Sequence, residues 1–288
     1  MNKALIKSMR LRTLPLSLAG VMCGGLLAWA TYGNGWTVVL TMLTACSLQV
    51  LSNLSNEMGD HLSGVDGEGR EGPNYSMTDG GLTVKQMWRA INITVVFTAV
   101  CGLAMLLLNF PLSTFHFPLM LLLGAAAIWA ATHYTLGKKP YGYRGFGDIF
   151  VFIFFGLVSV LGSYYVVAHS MDWQMLYPAV GIGLLSVGVL NVNNVRDMAS
   201  DEGIRRTVPL RIGERWGKIY QAALVIIGLA MMVIGSGTPW MVLLGAPLGW
   251  HLYMVRTRSG RDLDPALPLL VLSTAAAAVI YIIARYGL

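Results

Sequence analysis

The sequence has little charge: only 12% of its 288 residues are Asp, Glu, Lys or Arg. An ordinary soluble domain carries about twice that fraction, whereas apolar residues here make up 55%. This composition argues against a soluble globular domain and excludes a highly charged disordered chain. The chain also has only three cysteines, all in apolar runs and none at metal-ligand spacing, so a disulfide scaffold is not expected. What remains is typical of a helical protein that crosses a lipid bilayer several times.

Nine apolar segments are long enough to cross a bilayer as helices. They predict an all-α, polytopic membrane protein in which residues 1–288 form one transmembrane domain with an uncleaved first helix. No second soluble domain of any size fits into the connections that remain. The predicted spans are 14–32, 37–56, 90–109, 117–135, 148–168, 174–194, 219–235, 239–255 and 266–284.

The basic residues are distributed on one side of this topology. Nineteen of the 20 Lys and Arg residues precede the first span or lie in the connections that follow spans two, four, six and eight. The positive-inside rule therefore predicts a cytoplasmic N-terminus and an external C-terminus in the cell's inner membrane. In a soluble protein a net charge of +6 would indicate nucleic-acid binding, but here we expect no nucleic-acid partner.

The acidic residues lie on the same side, although the positive-inside rule does not require it. Thirteen of the 14 Asp and Glu residues are in cytoplasmic connections or at the helix ends beside them, and Asp172 is the exception. A one-sided cluster of carboxylates needs a separate cause. We therefore expect the chemistry of this protein at its cytoplasmic face.

Two polar arrays end the second and sixth spans. Helical spacing places the members of each array on one face of its helix. Both contain Asn-x-x-Asn, at an offset of 138 residues, which predicts an internal duplication of spans 1–4 and 5–8 followed by a ninth span. The first array consists of Asn53, Asn56, Glu57 and Asp60, and the second of Asn191, Asn194, Asp197 and Asp201.

Carboxylate and amide oxygens are the hard ligands that Mg²⁺ prefers, and Mg²⁺ usually keeps positions for substrate phosphates. Arginine and lysine side chains nearby would bind further phosphate oxygens. Together these groups predict a diphosphate site, with an apolar helical bundle behind it for a lipid tail. The nearby bases are Arg70, Lys138, Lys139, Arg144, Arg205 and Arg206.

The two arrays resemble the paired Asp-rich motifs of a known family. Asn-x-x-x-Asp in the second span and Asn-x-x-Arg-Asp-x-x-x-Asp in the sixth are similar to the motifs of the UbiA superfamily. Its members are intramembrane prenyltransferases that join a polyprenyl diphosphate to an aromatic acceptor. The resemblance implies nine transmembrane helices around a central cavity, which agrees with the nine apolar segments.

Local strings resemble one branch of that superfamily, the 1,4-dihydroxy-2-naphthoate polyprenyltransferases of menaquinone synthesis. They are Arg12-Thr13-Leu14-Pro15, Tyr143-Arg144-Gly145-Phe146-Gly147-Asp148 and Arg206-Thr207-Val208-Pro209. The resemblance implies Mg²⁺-dependent transfer of a polyprenyl group to the naphthoate. In this branch the ring carboxylate leaves as CO₂ and the product is a demethylmenaquinone.

The resemblance also implies roles for individual residues. Asp60, Asp197 and Asp201 are expected to be catalytic. The implied Mg²⁺ ligands are Asn56, Asp60, Asp66, Asn194, Asp197 and Asp201. The implied diphosphate-binding residues are Arg70, Tyr134, Lys138, Arg144, Arg205 and Arg206. The chain departs from many members in having Glu57 after Asn56 where they have Asp, so Asp60 is the better candidate metal ligand.

Two alternatives remain open on the sequence. A UbiA-type enzyme with another acceptor, such as 4-hydroxybenzoate or haem, would share the same diphosphate chemistry. A secondary transporter would instead carry ion sites near the middle of the membrane. The middles of these spans are almost uncharged, which disfavours the transporter. The apolar residues predict neither the length of the prenyl chain nor the oligomeric state.

Overall fold

The computed structural model describes residues 3–64 and 76–286, and every regular element within these ranges is helical. Eight helices in this part of the chain are long and apolar enough to cross a membrane. The predicted all-α membrane fold is therefore confirmed. The remaining predicted span, 239–255, is also helical, but it divides into the 3₁₀ helix Pro239–Leu244 and an α-helix of only 13 residues.

The helices match the predicted spans closely. Three 3₁₀ helices, Leu11–Thr13, Gly142–Arg144 and Gly260–Leu263, lie in the connections at one end of the bundle. The α-helices are α1 (Lys3–Met9), α2 (Leu14–Tyr32), α3 (Gly35–Ser63), α4 (Val84–Asn109), α5 (His116–His133), α6 (Gly147–Ala168, with a π-helical segment Phe152–Gly162), α7 (Leu176–Arg196), α8 (Met198–Asp201), α9 (Val208–Ile212), α10 (Glu214–Ser236), α11 (Gly245–Thr257) and α12 (Ala266–Tyr286).

Local sequence signals account for several helix ends. The Thr83 side chain accepts from the backbone N–H of Gln86, whose own side chain accepts from the Thr83 N–H, so α4 begins with a capping box. The Asn34 side chain accepts from the N–H of Thr37 at the start of α3. Gly64 ends α3 with a φ of 76°, a conformation that side-chain-bearing residues rarely adopt.

The most buried helix is α7, which packs against α2, α6, α10 and α12. In its most apolar stretch 72% of the residues are buried, against 11% in α5. The close approach of α6 to α7 depends on two glycines, because a Cβ on Gly156 would lie 2.7 Å from the Cα of Gly183. Small residues at such crossings let apolar helices pack without a hydrophobic driving force between them.

The connections separate into two ends of the bundle. At one end the N-terminal segment meets α3, because Asn53 Nδ2 donates to the carbonyl of Met9 at 2.9 Å. At the other end the Arg285 guanidinium donates to the side chain of Gln174 at 2.6 Å, and Tyr32 meets Ser170. The beginning of α1 and the end of α12 therefore lie at opposite ends.

Candidate active site

A buried arginine connects the two polar arrays. Arg205 Nη2 donates to Asp60 Oδ1 at 2.5 Å, and Arg205 Nε lies 3.4 Å from Asp201 Oδ1. All three side chains are mostly buried. The end of α3 and the short helix α8 are 141 residues apart in the sequence, yet their carboxylates converge on one cationic group. The fold therefore brings the ends of the two polar arrays together at one arginine.

Tyr143 completes the contacts around this ion pair. Its hydroxyl donates to Asp60 Oδ1 at 2.8 Å and lies 2.8 Å from Ser63 Oγ. The Arg205 guanidinium lies 4.8 Å from the centre of the Tyr143 ring, within cation–π distance. The N–H of Arg206 donates to the carbonyl of Tyr143 at 3.0 Å. Tyr143 therefore joins the connection between α5 and α6 to both acidic ends.

Two glycines allow these segments to approach so closely. Gly145 has a φ of 89°, and a Cβ there would lie 2.5 Å from the carbonyl oxygen of Arg206. Gly59, on α3, is pressed against Thr135, whose Oγ1 would lie 2.4 Å from an added Cβ. A side chain at either position would push the connection away from Asp60.

The electrostatics keep this cluster charged and hydrogen-bonded. Burial alone would lower the pKa of Arg205, but the Asp60 and Asp201 carboxylates raise it above its ordinary value. Burial, together with the Asp60 carboxylate, raises the pKa of Tyr143 to about 12. At neutral pH Arg205 is therefore a cation and the Tyr143 hydroxyl is a proton donor.

Asp197 has different partners. Both of its carboxylate oxygens accept from Arg196, through Nε and Nη2, each at 2.7 Å. The third nitrogen of the same guanidinium, Nη1, donates to Asp264 at 2.8 Å. Arg196 is almost completely buried, so it ties the end of α7 to the connection before α12. Asp264 thus joins the network of Asp197 through Arg196, and no sequence pattern indicates this contact.

The asparagines of the arrays divide between packing and the site. Asn53 donates to Met9 and Thr13 on the N-terminal segment, and Asn191 donates to Gly217 and Gln221 on α10. Both therefore hold neighbouring segments. Asn56 lines the central cavity, and Asn194 is buried. The Glu57 side chain is fully buried and accepts from the N–H of Met77.

The other predicted site residues within the described ranges lie at the same end. Tyr134 lines the cavity, where its ring lies close to Gly142. Lys138, Arg144 and Arg206 are exposed, in the connections that Tyr143 brings together. Asp66 and Arg70 lie outside the described residues.

The carboxylates present fit a metal that is shared with a substrate. Within residues 3–64 and 76–286 there is no group of three or more His, Cys, Asp or Glu side chains arranged to hold a metal ion. Asp60 and Asp201 nevertheless converge on a single cation, the Arg205 guanidinium. Mg²⁺ is usually held by one or two carboxylates, with substrate phosphates and water at its other positions. The donor set therefore suits Mg²⁺ bound together with a diphosphate.

A cavity of about 600 Å³ extends from this polar end into the bundle. Its walls come from α2 to α7 and are mostly apolar, which suits a hydrocarbon chain. Its polar lining includes Asn56, Tyr134 and Asn193. Asn193 lies off the helical face shared by Asn191 and Asn194, so helical spacing does not predict its place in the cavity wall. Tyr143 likewise has no role predicted from the sequence, although it begins the string that resembles the naphthoate branch.

Relatives of known activity were found by sequence. The family model described as the UbiA prenyltransferase family matches residues 17–283. A 1,4-dihydroxy-2-naphthoate octaprenyltransferase from Escherichia coli (strain K12) is 40% identical, over 86% of this chain and 82% of that protein. A protein of the same name from Mycobacterium tuberculosis (strain ATCC 25618 / H37Rv) is 36% identical, over 91% of this chain and 89% of that protein.

Solved structures share the fold at low sequence identity. The apo structure of a UbiA homolog from Aeropyrum pernix K1 superposes with a TM-score of 0.70 at 16% identity, covering 94% of this chain and 98% of that one. A UbiA homolog from Archaeoglobus fulgidus, bound to GPP and Mg²⁺, gives a TM-score of 0.69 at 13% identity, with 99% of each chain covered.

Proposed function

This chain belongs to the UbiA prenyltransferase family, and we propose that the cluster of Asp60, Arg205 and Asp201 is its diphosphate end. The protein is a membrane prenyltransferase that transfers a polyprenyl group from its diphosphate to 1,4-dihydroxy-2-naphthoate in menaquinone synthesis. The observation that carries the site assignment is the junction of two features. Asp60 of the charged cluster lies one helical turn beyond Asn56, which lines the largely apolar cavity. A substrate with an anionic head and a hydrocarbon tail requires such a neighbourhood.

The cationic side chains would bind the diphosphate. Arg205 is held at the centre of the site, where its guanidinium can exchange carboxylate oxygens for phosphate oxygens. Arg206 and Arg144 are exposed beside it, and Lys138 follows α5 at the same end. Arg70 completes the proposed set. These charges stabilise the leaving diphosphate as the bond to the prenyl carbon breaks.

The acidic ends would hold a divalent metal such as the Mg²⁺ in the structure of the Archaeoglobus fulgidus homolog. Asp60 and Asp201 are the central ligands, and the proposed set also includes Asn56, Asn194, Asp197 and Asp66. A bound Mg²⁺ would neutralise charge on the departing diphosphate. Tyr143 keeps Asp60 in position by donating a hydrogen bond, and it remains a donor at neutral pH because its pKa is raised to about 12.

The cavity walls would protect the reacting carbon. An allylic carbocation, or a transition state that resembles one, is captured by water unless water is excluded. The lining next to Asn56 and Tyr134 includes the apolar side chains of Phe154 and Leu190. Because these walls exclude water, the electron-rich naphthoate ring is the nucleophile that attacks C1 of the prenyl chain. The new bond to C1 forms as the ring carboxylate leaves as CO₂ and the diphosphate departs. Both ring hydroxyls stay in place, so the product of this step is a demethylmenaquinol, the reduced form of demethylmenaquinone.

A labelled acceptor tests the reaction. We expect purified protein with Mg²⁺ and a polyprenyl diphosphate to release the carboxyl carbon of 1,4-dihydroxy-2-naphthoate as CO₂, about one per prenyl group transferred and in step with diphosphate. We expect 4-hydroxybenzoate to be a poor acceptor. Efficient prenylation of 4-hydroxybenzoate without turnover of the naphthoate would instead assign the chain to another acceptor branch. A transporter would release no diphosphate at all.

We also propose that the protein lies in the inner membrane with a cytoplasmic N-terminus and an external C-terminus. The support is the one-sided placement of 19 of its 20 Lys and Arg residues. A C-terminal reporter that is active only in the cytoplasm should therefore be silent, whereas an N-terminal one should be active. A strong cytoplasmic signal from the C-terminus would reverse the orientation.

The proposed internal duplication of spans 1–4 and 5–8 rests on the matching Asn-x-x-Asn segments and on the meeting of Asp60 and Asp201 at one arginine.

A further inference from the structure

A glutamine on α3 has an unsatisfied acceptor in the wall of the central cavity. Gln49 is only 9% exposed and lines the cavity two helical turns deeper than Asn56. Its Oε1 is buried and has no hydrogen-bond partner among the residues described. A buried carbonyl oxygen without a donor is unfavourable, so a ligand that supplies a donor would be stabilised there.

The orientation of this amide is fixed by a chain of hydrogen bonds. The carbonyl of Met9 can only accept, so the Asn53 atom that faces it, at 2.9 Å, must be the Nδ2 donor. Asn53 Nδ2 also lies 3.0 Å from Thr13 Oγ1, whose own proton goes to the carbonyl of Arg10. Asn53 therefore presents Oδ1 to Gln49.

The orientation of the Asn53 amide in turn fixes the orientation of the Gln49 amide. Asn53 Oδ1 needs a donor, so the Gln49 atom 3.2 Å away is Nε2. The other atom of the Gln49 amide is then Oε1, and flipping the amide would place two acceptors against each other. Oε1 is thus the atom of the Gln49 amide that is left without a partner among the residues described.

The cavity has two occupants in the proposed reaction, and only one of them can satisfy this oxygen. The hydrocarbon tail of a polyprenyl diphosphate has no hydrogen-bond donor. The aromatic acceptor carries ring hydroxyl groups, which are donors. We infer that Gln49 Oε1 accepts a hydrogen bond from a ring hydroxyl of the acceptor and makes Gln49 a specificity-determining residue. This inference rests on the proposed function, because it takes the hydroxylated ring from it.

The position of Gln49 agrees with this role. Seven residues separate it from Asn56, or about 10 Å along the helix. Both side chains line the same cavity, so the acceptor ring can lie between Gln49 and the proposed diphosphate site beyond Asn56. Arg10, on the same wall, brings the positive charge that suits an acceptor with a carboxylate.

Two analogues that each lack one hydroxyl test the inference. We would measure the binding of 1-hydroxy-2-naphthoate and 4-hydroxy-2-naphthoate to the full-length protein in detergent, by competition against the dihydroxy acceptor. In the wild type one analogue should bind about tenfold more weakly than the other, because it lacks the hydroxyl that faces Gln49. In Gln49→Met this ratio should fall to about one, while the KM for prenyl diphosphate should change less than twofold.

Two further variants separate recognition from folding. Gln49→Asn keeps an amide, with both its oxygen acceptor and its nitrogen donor, and should keep the direction of the preference between the analogues, even if Gln49→Met folds poorly. Ser47→Ala removes a hydroxyl on the same helix that is already satisfied by the carbonyl of Thr44, and it should keep the wild-type ratio. An unchanged ratio in Gln49→Met, or equal losses for both analogues, would overturn the inference. Failure of the wild type to bind any naphthoate would instead count against the proposed function.

Discussion

The polar arrays at the ends of α3 and α7 have the same Asn-x-x-Asn spacing but different surroundings. On α3, Asn53 holds the N-terminal segment and begins the amide chain that reaches Gln49 in the cavity wall. On α7, Asn191 points into the packed bundle and bonds to Gln221, which in turn contacts His251. The spacing places each asparagine on a helical face, but the neighbouring helices decide what it binds.

The acidic residues of the two ends differ in the same way. Asp60 is bound by Arg205, an arginine from a distant segment, and by Tyr143. Asp197 is bound by the arginine that precedes it in the sequence, Arg196. An ion pair between distant segments can form only when the site is assembled, whereas an ion pair between adjacent residues does not depend on the fold to bring its partners together. The α3 end is therefore more dependent on the meeting of the two arrays.

The largest expected effect on activity comes from removing either of the two carboxylates that share Arg205. Asp60→Asn and Asp201→Asn should each lower kcat on the order of 10⁴-fold, because each removes charge that holds the metal and diphosphate. The double variant should be no worse than the worse single variant, since both changes disable one site. Steady-state kinetics with saturating Mg²⁺ measures this.

The matched control is Asp79→Asn. Asp79 forms an exposed ion pair with Lys7 in a connection at the same end, and its loss should leave kcat within about twofold. Losses that multiply in the Asp60/Asp201 double variant would show that the two arrays act independently and not as one site.

A smaller effect should appear in stability. Arg205→Gln leaves the buried Asp60 and Asp201 carboxylates without their cation, which should destabilise the protein by about 3 kcal/mol. Unfolding in detergent, followed by circular dichroism, measures this. Arg206→Gln, at the exposed neighbouring position, should unfold like the wild type. If the two variants are equally stable, the ion pair does not hold the arrays together.

The smallest expected effect is at the α7 end. Asp264 is 46% exposed on its side chain, so its contact with Arg196 is screened by solvent. Asp264→Asn should cost less than about 1 kcal/mol of stability and leave kcat nearly unchanged, because the Arg196 guanidinium keeps both bonds to Asp197. A loss of activity comparable to that of Asp60→Asn would mean that Asp264 belongs to the reactive centre.

Much of the architecture could be predicted from the sequence because the bilayer imposes length and polarity on every span. Leu14–Tyr32 coincides with a predicted span, and most other helices extend only a few residues beyond theirs. The structure of the segment from residue 239 was harder to predict, because an apolar run predicts burial in lipid but not whether its first turn is 3₁₀.

The sequence by itself determined the membrane fold, the polar end of the bundle and the family chemistry, since each depends on residue type and spacing. Only the tertiary structure decided the partners. Arg205 was one of several candidate bases until the fold buried it between Asp60 and Asp201. Gln49 had no assigned role until the bonds of Asn53 fixed the direction of its amide. The reason is physical: a hydrogen bond or buried ion pair depends on distance and direction between segments far apart in the chain, which no local pattern specifies.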